Sequence, residues 1–274
     1  MSIHSSLPRR SILKGVAAAV SAMAFPMFAK AQGAPVIPRK IAVYTDSFGD
    51  GGNAFGSPVF QSQFSTWESY GNASNQFNMA RRISAAIPGS SYDPQQYGGS
   101  TLSGMASGYK YDSTTGTEVQ AWGGLTLVEH AIASQADQVV IHLGAAGGQM
   151  STADRTAITA YLFALMGKAL AQNGTRVALV EAPYPVPEDA GNAGTIAAYP
   201  DYVGRRDSVN SGIDAAVAEI NAHYPGFATR VRYWSNGAVA MNPGTTHEGL
   251  HPTLATHSSI AAAVAAEVRA FRGW

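Results

Sequence analysis

Between Gln138 and Ala182 the chain reads strand, helix, strand, and this run constrains the fold more than any other. QVVIHL (138–143) and RVALVEA (176–182) are short apolar runs bounded by turn residues, the pattern of strands buried on both faces. Between them, ADRTAITAYLFALMGKALAQNG (153–174) repeats its apolar positions at three and four and stops at Asn173-Gly174, a helix end. The three segments make a βαβ unit, whose strands run parallel. KIAVYT (40–45) and RVRYW (230–234) read as further strands, and DSVNSGIDAAVAEINAHY (207–224) and THSSIAAAVAAEVRAFRGW (256–274) as helices. The expected class is α/β, a doubly wound parallel sheet in three α/β/α layers. Residues 49–116 break the pattern: rich in Gly, Ser, Gln and Tyr, with one helical patch at 75–87, they read mostly as long ordered loops. Such loops at the carboxyl ends of strands are where substrates bind.

The first 31 residues do not belong to that pattern. They hold Arg9, Arg10, Lys14 and Lys30, no acid, an apolar run behind the paired arginines, and Ala29-Lys30-Ala31 as a cleavage site. This is the layout of an export signal. RRSILK (9–14) resembles the bacterial twin-arginine signal, which implies the twin-arginine export machinery as a partner and a periplasmic or secreted mature protein. Residues 32–274 are then expected to form a single domain. With the leader set aside, 14 basic and 18 acidic residues leave a net charge of −4, and no basic block could track a phosphate backbone, which argues against nucleic acid. Cysteine is absent, excluding disulfides and thiolate metal sites. Beyond the leader no apolar run reaches the ~18 residues of a membrane span.

In an open α/β sheet ligands bind beyond the carboxyl ends of the strands. Three segments are expected there: YTDSFGDGGN (44–53), GAAGGQ (144–149), and HEGLHPT (247–253) ahead of the last helix. A serine becomes a nucleophile when an imidazole takes its proton and a carboxylate orients that imidazole. Ser47, His251 and Glu248 supply those three groups.

YTDSFGDGGN resembles the GDSLSDTGN block of the SGNH (GDSL) esterase and lipase family, aligned through Asp46, Ser47, Asp50, Gly52 and Asn53. YGGSTL (97–102) is similar to the family's second block, HLGAAGG (142–148) to its third, G-x-N-D, and EGLHPT (248–253) to its last, D-x-x-H-P-T. The resemblance implies a flavodoxin-like sheet and cleavage of an acyl or O-acetyl ester. It further implies Ser47 as nucleophile, His251 as base, Glu248 as orienting acid, and the backbone N–H groups of Ser47 and Gly99 as oxyanion donors, with Gly98 as the alternative to Gly99. The substrate would be a small-molecule, lipid or acylated carbohydrate ester, and neither metal nor organic cofactor is implied. Two departures stand out. Glu248 replaces the family's aspartate, adding a methylene and keeping a carboxylate. Ala146 replaces the third-block asparagine, so one oxyanion donor of three is missing, a change that typically costs ~10²–10³ in turnover. Gln149 and Asn53 are candidate substitutes.

Rival patterns overlap these blocks. Gly49-x-Gly51-x-x-Ala54 with Glu68 matches a dinucleotide fingerprint but lacks the second strand before Glu68. His247-Glu248-Gly249-Leu250-His251 spells the H-E-x-x-H of zinc metallopeptidases, with His257 near a third ligand position. Gly249 and Pro252 oppose the continuous helix that motif requires. DSFGDGGN lacks the bidentate glutamate of a calcium loop. Asp46 and Asp50 read as turn formers, His142 as a hydrogen-bonded core residue, and His130 and His223 as surface positions on helices. Trp67, Trp122 and Tyr184 suit either a substrate pocket or the core. A non-catalytic carbohydrate- or lipid-binding descendant of the family is the alternative that Ala146 raises.

Overall fold

A computed structural model describes residues 39–47, 79–112, 115–143, 152–183, 186–189, 202–231, 239–246, 249 and 251–274. Five strands form one parallel sheet: β1 (Arg39–Thr45), β2 (Ser90–Gln96), β5 (Gln138–His142), β6 (Arg176–Val180) and β7 (Ala228–Val231). Their order is β2-β1-β5-β6-β7, which in terms of these five strands alone is the doubly wound 2-1-3-4-5. The direction of winding reverses at β1, so the crevice beyond its carboxyl end is the switch point where such folds bind ligands. A separate antiparallel hairpin, β3 (Tyr109–Asp112) with β4 (Thr117–Gln120), lies between β2 and β5 in the chain.

Strand periodicity sorts the core into two layers. Ile41 and Val43 of β1 point to one face with Val140, Ala178 and Val180, where α1 (Met79–Ala85) and α6 (Leu254–Arg272) cover them. Ala42 and Tyr44 point to the other with Val139, Ile141, Val177 and Leu179, under α2 (Leu102–Ala106), α3 (Leu127–Ala133), α4 (Thr152–Gln172) and α5 (Tyr202–His223). Every described side chain of β5 is buried, as a strand covered on both faces requires. The three-layer α/β/α architecture is the one expected from sequence. No helix among the described residues is long and apolar enough to cross a membrane.

The departures have local causes. Residues 90–96 form a full parallel strand, although SSYDPQQ has no apolar run and contains Pro94. β2 sits at the sheet edge, where a proline leaves no central ladder bond unmade and polar side chains meet water. The segment expected as loops therefore contains β2, α2 and the first strand of the hairpin, β3. Helix α5 starts five residues before the expected Asp207; buried Arg206, Val209, Ile213, Ala216 and Ile220 keep the helical spacing, but a polar first turn hides its onset. Strand β7 pairs with β6 from Ala228, ahead of the expected RVRYW, of which residues 232–234 lie outside the described residues. Helix α3, which the sequence analysis implied only by placing His130 on a helix, opens on a capping box in which Thr126 and Glu129 satisfy each other's backbone N–H groups.

Candidate active site

Strand β1 delivers the first side chain. Asp46 is fully buried, its N–H 3.4 Å from the His142 carbonyl at the end of β5, and Ser47 follows at the half-buried lip of the crevice. Asp46, expected as a turn former, is a buried residue just past the end of β1. From the far end of the chain comes His251, whose Nε2 lies 3.0 Å from Ser47 Oγ. That is the distance a base needs to take the serine proton.

The loop carrying His251 is tied down on both flanks. Thr246 and Pro252 form a β-bridge, Thr253 N–H donates to the Thr245 carbonyl at 2.9 Å, and the Thr253 hydroxyl caps α6. Asp189, at the end of a single 3₁₀ turn (Pro187–Asp189), accepts from Gly244 N–H at 2.6 Å, from Thr246 N–H at 2.9 Å and from the Thr246 hydroxyl at 2.7 Å. Val186 N–H adds a bond to the Gly249 carbonyl at 2.8 Å. Burial would raise the Asp189 pKa, but the bonds from Gly244, Thr246 and Thr245 outweigh it and lower the pKa below the ordinary carboxylate value. Nothing in the sequence around Asp189 announces this role. Gly249 adopts φ +82°, and α6 begins only at Leu254, so Gly249 and His251 lie in a turn. Neither described residue of the H-E-x-x-H string, Gly249 or His251, is in the helix that the zinc motif needs.

Beside Ser47, the end of β2 turns back on itself. Tyr97 N–H donates to the Thr45 carbonyl at 3.0 Å, and Ser100 N–H to the Tyr97 carbonyl at 3.1 Å, enclosing Gly98 and Gly99 in a four-residue turn. Gly99 has φ +79°, the value a type II turn demands at this position, and side chains there are strained. A Cβ on Gly99 would sit 2.9 Å from the Tyr111 ring. Among the described residues Gly99 N–H donates to no acceptor. The turn thus hangs from the end of β1 with a backbone donor to spare, two residues from Ser47.

Beneath it runs a polar aromatic network. Gln95 Oε1 accepts from Trp122 Nε1 at 2.7 Å and from the Tyr97 hydroxyl at 2.8 Å, while its amide donates to Asp93 at 2.6 Å. Trp122 stacks on His130 with centroids 5.0 Å apart, and His130 Nδ1 meets the buried Tyr44 hydroxyl at 2.8 Å. His130 is therefore a half-buried structural residue rather than the surface position expected from sequence; its helix lies over the sheet, and burial lowers its pKa. Trp122 belongs to this packing as well. His142 is buried as expected, and burial, reinforced by neighbouring His257, pushes its pKa down to about 3, so it is neutral near pH 7. His223 is exposed on α5, as expected.

Of the residues expected at the site, the structure brings Ser47 and His251 together and places the Gly99 turn at the adjoining strand end. Glu248, His247, Ala146, Gln149, Asn53, Asp50, Trp67 and Tyr184 lie outside the described residues, as do the glycines of the dinucleotide pattern, Glu68 and the leader. Among the described residues no group of three metal-capable side chains comes together.

Fold and site together define a doubly wound α/β protein with a serine–histidine pair at its switch point. The same three-layer fold is found in GDSL-type hydrolases of known structure. A GDSL-like lipase from Bacteroides ovatus superposes with a TM-score of 0.55 at 11% identity over 86% of this chain, which spans 54% of that protein's length. LAE5, an alpha/beta hydrolase from the metagenome of Lake Arreo, gives 0.51 at 14% identity over 86% of this chain and 95% of its own. A lipase/acylhydrolase from Enterococcus faecalis gives 0.48 at 17% identity over 85% and 96%. No family model matches the sequence, and no curated protein matches it.

Proposed function

We propose that this chain is an exported serine ester hydrolase. The observation that carries the proposal is the 3.0 Å contact between Ser47 Oγ and His251 Nε2 at the switch point of the sheet. As His251 Nε2 takes the hydroxyl proton, Ser47 Oγ bonds to the ester carbonyl carbon and the carbonyl oxygen becomes an oxyanion. The N–H groups of Ser47 and Gly99 hold that charge, an assignment supported by the turn in which Gly99 N–H makes no backbone bond among the described residues. Collapse breaks the ester C–O bond, and His251 returns its proton to the departing alkoxide. Water then repeats the sequence on the acyl-enzyme, giving the free acid and restoring Ser47. Glu248, three residues before His251, is the carboxylate assigned to orient the imidazole. Ala146 removes one customary donor, so turnover rests on the two backbone groups unless Gln149 or Asn53 supplies a third. The leader with Arg9 and Arg10 is assigned to twin-arginine export, which places the mature domain in the periplasm or outside the cell.

Covalent labelling tests the proposal directly. A small fluorophosphonate, read by intact mass and peptide mapping, is expected to add once, on Ser47, with or without chelator. Ser47→Ala and His251→Gln are each expected to abolish labelling and to lower 4-nitrophenyl acetate turnover at least ~10³-fold while the fold persists. Unchanged turnover in Ser47→Ala would remove this serine from the chemistry, and absence of labelling in the unaltered protein would leave a binding protein on a hydrolase fold. Intact mass of the exported protein tests the leader; an N-terminus still carrying Arg9 and Arg10 after export would refute its assignment.

A further inference from the structure

The hairpin β3–β4 stands against the Gly98–Gly99 turn, and no step of the proposed hydrolysis uses it. We propose that its tyrosine face is a subsite for a sugar ring on the alcohol side of the ester, an inference that rests on the hydrolase proposal above. Tyr109 pairs with Gln120 and Tyr111 with Glu118, and residues directly paired across an antiparallel ladder project from the same face. One face therefore carries two phenols, a carboxylate and a carboxamide. The Tyr111 ring lies along Gly99, whose N–H is assigned to the oxyanion, so this face begins where the reacting carbonyl would sit.

The face is rigid and it is open. Ala121 N–H donates to the Gly108 carbonyl at 2.8 Å at the base of the hairpin, and Gly116 N–H to the Asp112 carbonyl at 2.8 Å at its tip. Tyr111 N–H donates to the buried Ser100 hydroxyl at 2.9 Å, fastening the strand to the Gly98–Gly99 turn. On the opposite face Lys110 lies over the Tyr97 ring at 4.7 Å, a second anchor. Gly108 admits no side chain, because a Cβ there would meet the Leu125 carbonyl oxygen. Despite this bracing, Tyr109 and Tyr111 remain 40% and 38% exposed. Large rings held in place yet left in water mark a surface made to be covered.

The chemistry of the face selects the occupant. An acyl chain gains by touching aliphatic side chains, and this face has none; the Gln120 amide and the second Glu118 oxygen would have to lose water beside it with nothing from the chain to replace it. A sugar ring presents flat patches of C–H to the phenol rings and hydroxyl groups to the carboxylate and amide, which matches both halves of the face. Glu118 already accepts from the Thr101 hydroxyl at 3.2 Å, which holds the carboxylate over the start of α2, two residues after Gly99.

The test uses Ser47→Ala protein, which cannot turn a substrate over, titrated with xylotetraose, cellotetraose and sodium octanoate and followed by amide chemical shifts. At least one oligosaccharide is expected to bind saturably below about 10 mM. Adding Tyr111→Ala or Tyr109→Ala is expected to weaken that binding at least about fivefold, and Tyr111→Phe to retain it, since the ring face does the work. Thermal unfolding of each variant confirms that the hairpin change leaves the domain folded. Saturable octanoate binding that the tyrosine changes abolish would overturn the proposal. So would failure of both sugars to bind, or sugar binding indifferent to both tyrosines. Fluorophosphonate labelling of the unaltered protein reads the parent proposal separately: labelled protein that ignores sugar refutes only the subsite.

Discussion

The carboxylate of Asp189 holds Thr246 by its N–H at 2.9 Å and by its hydroxyl at 2.7 Å, five residues before His251. A residue that touches neither Ser47 nor His251 thus sets the height of the loop that brings the imidazole to the serine. Asp189→Ala is expected to lower kcat ten- to a hundredfold, roughly the loss from an ångström of misplacement, with little change in KM. Asp189→Asn, which keeps one acceptor oxygen, should recover part of it. Because the bonded carboxylate has a lowered pKa, its stabilisation is complete above about pH 4 and is lost as pH falls through the folded value. Steady-state kinetics of both variants decide the matter; a loss confined to KM would mean that Asp189 shapes substrate binding instead.

Gly99→Ala should be costly for two separable reasons. A side chain at φ +79° carries about 1–2 kcal/mol of backbone strain, and its Cβ also collides with the Tyr111 ring. Tyr111→Ala in the same chain removes the collision and leaves the strain. Urea unfolding of the two single variants and the double should therefore show a non-additive term of favourable sign, and strict additivity would mean that the ring simply swings away.

Acid should loosen the core through His142. Its folded pKa of about 3 lies below the ordinary histidine value of 6.5, so the unfolded chain binds a proton that the folded chain refuses. Stability from this residue is intact above about pH 6.5 and declines by ~1.4 kcal/mol per pH unit until about pH 3. His142→Gln should flatten that part of the curve, measured as urea unfolding free energy at pH 7, 5.5 and 4.5. An identical slope in the variant would assign the acid sensitivity elsewhere.

The sheet was legible wherever burial on both faces forced apolar runs: β1, β5 and β6 sit where KIAVYT, QVVIHL and RVALVEA predict them. The edge strand β2 was not, because an edge tolerates Pro94 and leaves polar side chains in water. The serine and histidine could be read because short motifs fix them at chain turns. Asp189 could not, since its role exists only after residues 242–246 fold back upon it. His130 was misplaced for a similar reason: a polar residue on a short helix looks solvent-facing until Tyr44 and Trp122 close around it.

Ser47 and His251 are 204 positions apart, and the histidine arrives just ahead of the helix that closes one layer of the core. The two side chains therefore meet only once the chain between them has folded. Until Ile260, Val264 and Val268 dock beside Ile41 and Val140, the Ser47 hydroxyl has no imidazole beside it. The Ser47–His251 contact is in this way a long-range one, and its formation reports that α6 has docked on the sheet.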